Sequence, residues 1–342
     1  MKAQIGFALA IALLASSAHA AGYKVQNLVS SQPGVALQQD TDLVNPWGLC
    51  QDTDTAPVWT SDNGSAKSTF YDRTSGVKQF PIVAIPNGLP TGCVSVPFGT
   101  NFNLTEHGLT GRAYFLFDSI SGAITGWAPS VDENNAIIGA DNGASGAVYT
   151  GLALDITNRH LLAANFAKNS VEIYDTTFTK LSSFTDPDLP KKFGPFNVAV
   201  VGSKVYVAFA KQQKPKARSL KDGGVARGKT LGLIDVFDTS GNLQQRLITG
   251  GNLNAPWGMG IAPANFGAFA GALLVGNFGN GQINAYDATT GDFLGTVGNK
   301  KGKALKFDGL WAIDPGPGKA TVTISAGVND EADGLIALIK PN

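Results

Sequence analysis

Asn45-Pro46-Trp47-Gly48-Leu49 is the stretch that decides the fold, because the chain writes it again as Ala255-Pro256-Trp257-Gly258-Met259. Leu310-Trp311-Ala312-Ile313 is a degenerate third copy. Pro90-Thr91-Gly92, Thr150-Gly151-Leu152 and Pro195-Phe196-Asn197-Val198 are weaker relatives. An apolar run, a polar turn and a second run follow each copy, and the second run tends to end in aromatic-Asp, as at Tyr71-Asp72, Tyr174-Asp175 and Tyr286-Asp287. Six such units define a repeat architecture, and each repeat must bury its apolar face against its neighbours.

The runs are short and β-prone, and the turns between them are rich in glycine, of which the chain has 42. This pattern predicts an all-β fold, a six-bladed β-propeller with four strands per blade. Residues 23–29 alternate like a strand but stand before the first full unit. Such a strand completes the last blade and closes the ring, which removes open sheet edges.

Residues 1–20 read as a signal peptide: Lys2, an apolar stretch from Ile5 to Ala15, and the small-x-small site Ala18-His19-Ala20. Residues 21–342 are then a single propeller, exported to the periplasm or beyond the cell. No later stretch has the run of apolar residues that a membrane-spanning helix needs. Charged residues are 15% of the chain and balance to zero, which argues against nucleic acid as a partner. Two cysteines in an exported chain predict a disulfide. Cys50 and Cys93 fall at neighbouring register positions of adjacent inner strands, so they can face each other; two buried free thiols are the alternative.

Counting back ten residues from the aromatic-Asp marker gives Asp62, Asn165 and Asn277. The same count gives Asp118 from Ala128, which follows Trp127, and Asp330 from Lys340. Blade symmetry would gather these five at one mouth of the channel, with Trp47, Trp257 and Trp311 beside them. Two readings stand. Each side chain caps its own turn, or together they hold a calcium-like divalent cation through oxygen ligands. The tryptophans are either packing anchors or a ligand face for a small molecule, a glycan or a protein. The basic stretch 211–229 is either a solvated loop or a lip that draws an anionic ligand. His107, in the Glu106-His107-Gly108 insert, is the one candidate general base; no Gly-x-Ser-x-Gly elbow, Walker loop or dinucleotide fingerprint is present.

The set Asn45 to Gly48, Ser61-Asp62-Asn63-Gly64, Ala164-Asn165-Phe166, Ala255 to Gly258, Gly276-Asn277-Phe278-Gly279 and Asn329-Asp330-Glu331 resembles a family of uncharacterised secreted bacterial proteins. That family looks like a branch of the NHL-type propellers, some with PEP-CTERM tags, and the resemblance implies six blades. More distantly, the oxygen ring is similar in kind to the metal site of gluconolactonase-like propellers. Those use an early glutamate, and this chain has none between Ala21 and Glu106. The expected function is a binding or scaffold module working through the channel mouth. The alternative is a divalent-metal-dependent hydrolase of lactonase or esterase type.

Overall fold

A computed structural model describes residues 22–53, 55–213, 222–316, 318 and 320–342. The expected signal peptide lies outside these residues. Among them, six blade sheets are built as predicted, and a two-stranded hairpin is added in blade two. Blade one is Pro46–Cys50, Val58–Asp62, Lys67–Tyr71 and Lys78–Ala84, in that order from axis to rim. Blades two to five repeat this antiparallel order from inner strands Pro90–Ser95, Tyr149–Asp155, Phe193–Val201 and Pro256–Ile261. Blade six runs Leu310–Pro315, Val322–Ala326 and Leu335–Pro341, and Tyr23–Ser30 pairs antiparallel with its last strand. The strand ahead of the first repeat thus closes the ring between the two ends of the chain, and no outer edge is left at that blade's third strand.

The Pro-Trp-Gly repeat is a β-bulge. Pairing jumps from Pro46↔Asp62 to Leu49↔Thr60, leaving Trp47 and Gly48 out of the ladder. The same jump falls at Pro256/Met259 and Leu310/Ile313. A bulge bends its strand and re-aims one side chain, here the tryptophan onto the axis. The glycine follows because the next inner strand passes against it. A Cβ on Gly48 would lie 2.7 Å from the Thr91 carbonyl oxygen, and one on Gly258 would lie 2.4 Å from that of Trp311.

The aromatic-Asp repeat is equally structural. Tyr71, Tyr174, Phe237 and Tyr286 are buried between blades. The aspartate that follows caps the hairpin to the outer strand. Asp72 accepts from the Thr74 and Ser75 amides, Asp175 from Thr177 and Thr179, Asp238 from Ser240 and Asn242, and Asp287 from Thr289 and Thr290. These are Asx turns. Backbone and hydroxyl donors from Ser75 and Thr74 hold the Asp72 carboxyl far below the usual range.

Cys50 and Cys93 are joined by a disulfide, with Cα atoms 5.6 Å apart. It ties the inner strands of blades one and two, as their register predicts.

Candidate functional site

The three tryptophans meet one another rather than solvent. Trp47, Trp257 and Trp311 are 0%, 3% and 0% exposed. Trp47 stacks on Trp311, centroids 3.5 Å apart, and meets Trp257 edge-on at 5.8 Å. Phe278 stacks on Trp311 at 4.0 Å, and Phe196 packs edge-on against Trp47. Trp257 donates its indole N–H to the Thr150 carbonyl, and Trp311 donates to Asn45 Oδ1. Tryptophan is the largest side chain available to the bulge position, and three of six blades use it. Their rings close the axis at the end where the inner strands begin. Of the two roles open to the tryptophans, packing anchor or ligand face, their burial fits the first: the rings form an aromatic plug.

The described end of the basic stretch lies over this plug. Gly223 approaches the Trp47 ring; a Cβ built there would be 3.6 Å from it. Arg227 sets its guanidinium 4.3 Å above the Phe278 ring and pairs with Glu331 at 2.8 Å. This part of the stretch is docked rather than a free lip; residues 214–221 lie outside those described.

The carboxylates among the five candidate oxygen ligands, Asp62, Asp118 and Asp330, form no metal-holding group among the described residues. Asp62, Asn165 and Asn277 do end their second strands, paired with Pro46, Tyr149 and Pro256. Each serves its own blade. Asp62 accepts from the Thr60 and Thr69 hydroxyls and the Thr69 amide. Asn165 Oδ1 accepts from the Val148 and Lys168 amides, and Asn277 Oδ1 from the Asn254 amide. Asp118 and Asp330 are out of register. The span from Phe115 to its partner Trp127 is one residue shorter than that from Val58 to Tyr71, so Ser119, paired with Pro90, holds the equivalent place. A one-residue slip turns a strand side chain to the other face, and Asp118 instead accepts from the Thr91 hydroxyl and the Gly92 amide. In blade six the hairpin is longer, Ala326 pairs with Leu310, and Asp330 stands exposed in the turn Val328–Glu331.

Burial pushes the Asp62 carboxyl up to about 8, against the opposing hydrogen bonds from Thr69 and Thr60. Burial likewise pushes Asp118 up to about 6. Both Asp62 oxygens are taken by hydroxyl and amide donors, whereas Asp118 has only Oδ1 so engaged and its Oδ2 is buried without a hydrogen-bond partner. Among the described residues, no three His, Cys, Asp or Glu side chains are grouped to hold a metal ion. Asn165 caps the turn after its strand through the Lys168 amide, whereas Asp62, Asp118 and Asn277 bond to neighbouring strands or to the segment that enters the blade. His107 stands exposed at the tip of the hairpin Asn103–Glu106 and Leu109–Arg112, with a left-handed backbone (φ 50°).

The concave site lies at the other end of the axis. A cavity of about 490 Å³ is walled by the inner strands after their bulges, through residues 49–51, 93–95, 152–154, 198–201, 259–261 and 312–315. Its inner end is formed by Gly48, Gly92, Asn197, Trp257 and Gly258, and its mouth by the turns from first to second strands. The wall is mostly aliphatic, with Leu49, Leu152, Val198, Met259 and Ile313, and it includes the disulfide. Polar side chains are few. Asn197 donates to the Trp257 carbonyl and accepts from the Val198 amide. Asp314, the one acidic lining residue among those described, lies 3.9 Å from Arg73. No charged or catalytic motif marks this wall in the sequence. Its only signal is the apolar run after each bulge, which reads equally as core.

No model of a protein family matches the chain. It is 30% identical to uncharacterized protein L690 of Acanthamoeba polyphaga mimivirus, across 94% of this chain and 86% of that protein. The chain belongs to the L690 family. Protein R648 of the same virus is 28% identical over 93% of the chain and 80% of its own length. These L690 relatives are viral, so they lend no support to the secreted bacterial grouping that the motifs resemble. Among solved structures, streptogramin B lyase and luciferin-regenerating enzyme share the L690-family fold, with TM-scores of 0.56 and 0.57. The first covers 94% of this chain and 98% of its own, the second 93% and 95%, each at 13% identity. They are alike in fold alone.

Proposed function

We propose that this chain is an exported binding propeller that holds one small, largely apolar molecule in the axial cavity. The observation that carries this is the asymmetry of the axis. One end is closed by Trp47, Trp257 and Trp311, and the other opens into an aliphatic cavity of about 490 Å³. That volume lies within the roughly 300–1,000 Å³ usual for small-molecule sites, which pair apolar walls with few polar groups. A glycan would find little hydrogen bonding from side chains here. Hydrolysis would require acid–base groups or metal ligands in the wall, and the acidic lining residue is already beside an arginine. Export is supported by the disulfide, since such bonds persist in oxidising compartments, and by the leader-like residues 1–20. Among the described residues no helix is long and apolar enough to cross a membrane.

Gly260 offers the test. It lines the cavity, and a Cβ built there would meet only the Ile313 carbonyl oxygen, at 3.3 Å. Gly260→Phe should fill the space with the fold retained. The neutral fluorophore N-phenyl-1-naphthylamine should bind the wild-type protein at one site and lose at least tenfold in affinity to the variant. Equal binding to both would overturn the reading.

A further inference from the structure

One cation at the mouth is not used by the fold in the ordinary way. Arg112 ends the hairpin that blade two inserts between its first and second strands. Its guanidinium lies 4.4 Å from the Tyr114 ring centroid and 5.4 Å from that of Phe98. One terminal nitrogen donates to the Val96 carbonyl at 2.6 Å, and Nε is buried with no hydrogen-bond partner. No carboxylate lies within ion-pair distance of it among the described residues. Val96 stands between Ser95 and Pro97, and both of these line the cavity. Arg112 is thus one residue removed from the cavity wall.

Its surroundings are apolar and exposed. Phe98 is 93% exposed and Tyr114 46%. The Phe98 ring is thus left almost wholly in water beside the guanidinium. On the other side of the mouth Asp314 lies 3.9 Å from Arg73. A guanidinium held between two rings is poised to take an oxyanion while its stem stays packed.

We infer that the cavity ligand is an amphipathic organic anion, with an aliphatic or aromatic body along the axis and one carboxylate- or sulfonate-type head at Arg112. This rests on the axial cavity being the binding site, and the test separates the two claims. N-phenyl-1-naphthylamine and 8-anilinonaphthalene-1-sulfonate share one body and differ by the sulfonate. The wild-type protein should bind both at one site, the sulfonate about tenfold more tightly, with an advantage that shrinks as salt rises. Arg112→Gln keeps the stem and a donor for Val96 but removes the charge. It should lower affinity for the sulfonate to that of the neutral probe and leave the neutral probe unchanged; Arg112→Lys should retain most of the advantage. Sulfonate binding unaltered in Arg112→Gln, with both probes still excluded by Gly260→Phe, would overturn the role of Arg112 alone. Failure of both probes to bind the wild-type protein would overturn the cavity reading beneath it.

Discussion

The indole of Trp47 lies on that of Trp311 with planes 18° apart, so the first and last blades meet face to face on the axis. The contact joins ends of the chain more than 260 residues apart, and Asn45 Oδ1 reinforces it by accepting the Trp311 indole N–H across |i−j| of 266. Ring closure therefore has two seams, this one at the axis and the pairing of Tyr23–Ser30 with Leu335–Pro341 at the outside.

Trp311→Ala should be among the most destabilising single changes in the chain. Removing a fully buried tryptophan costs about 3–5 kcal/mol through lost burial and a residual cavity. Trp311→Phe should cost less, because stacking on Phe278 and Trp47 is partly kept. Urea unfolding followed by far-UV circular dichroism measures both.

The disulfide should matter through the unfolded chain. It spans a sequence separation of 43, for which loop-closure entropy gives about 4 kcal/mol as an upper figure. The double variant Cys50→Ala with Cys93→Ala should unfold at lower denaturant, and the intact wild-type protein should not react with iodoacetamide until reduced.

Asp62 sets a slope in the pH dependence of stability. Its folded pKa, about 8, lies above the ordinary 3.8. The stabilisation is therefore complete below the unfolded value and is lost as pH rises from about 4 to 8, at up to about 1.4 kcal/mol per unit. Asp62→Asn places in blade one the amide that Asn165 and Asn277 already provide in blades three and five. It should flatten that slope, and unfolding measured at pH 5 and pH 8 should differ less than in the wild-type protein.

The same aspartates decide whether a cation belongs to the fold. Asp62→Ala combined with Asp118→Ala should lower stability, since buried Thr69, Thr91 and Gly92 donors lose their acceptors. The loss should be the same in calcium and in chelator. A melting temperature of the wild-type protein that falls with chelator would contradict this.

The architecture was legible because the repeat is dictated by packing that every blade must satisfy. Trp-Gly marks the bulge, aromatic-Asp marks a buried ring and its turn cap, and both recur in the letters. Counting along those letters went astray where hairpins differ in length, at Asp118 and Asp330, since pairing and not spacing fixes register. The plug was hidden because an axis-directed tryptophan reads the same whether a channel is open or filled. The cavity was hidden because its wall is made of apolar strand residues. Contacts such as Arg246 with buried Asp186 and Asp235 leave no local trace either, since they join paired strands of blade four to the connection that enters it.

A crystal structure of the protein soaked in 1-bromonaphthalene, phased on bromine anomalous scattering, tests the central claim most directly. The account predicts one strong bromine peak on the axis among Leu152, Met259 and Ile313, on the cavity side of Trp257. A peak over Trp47 on the opposite face with an empty cavity would contradict it.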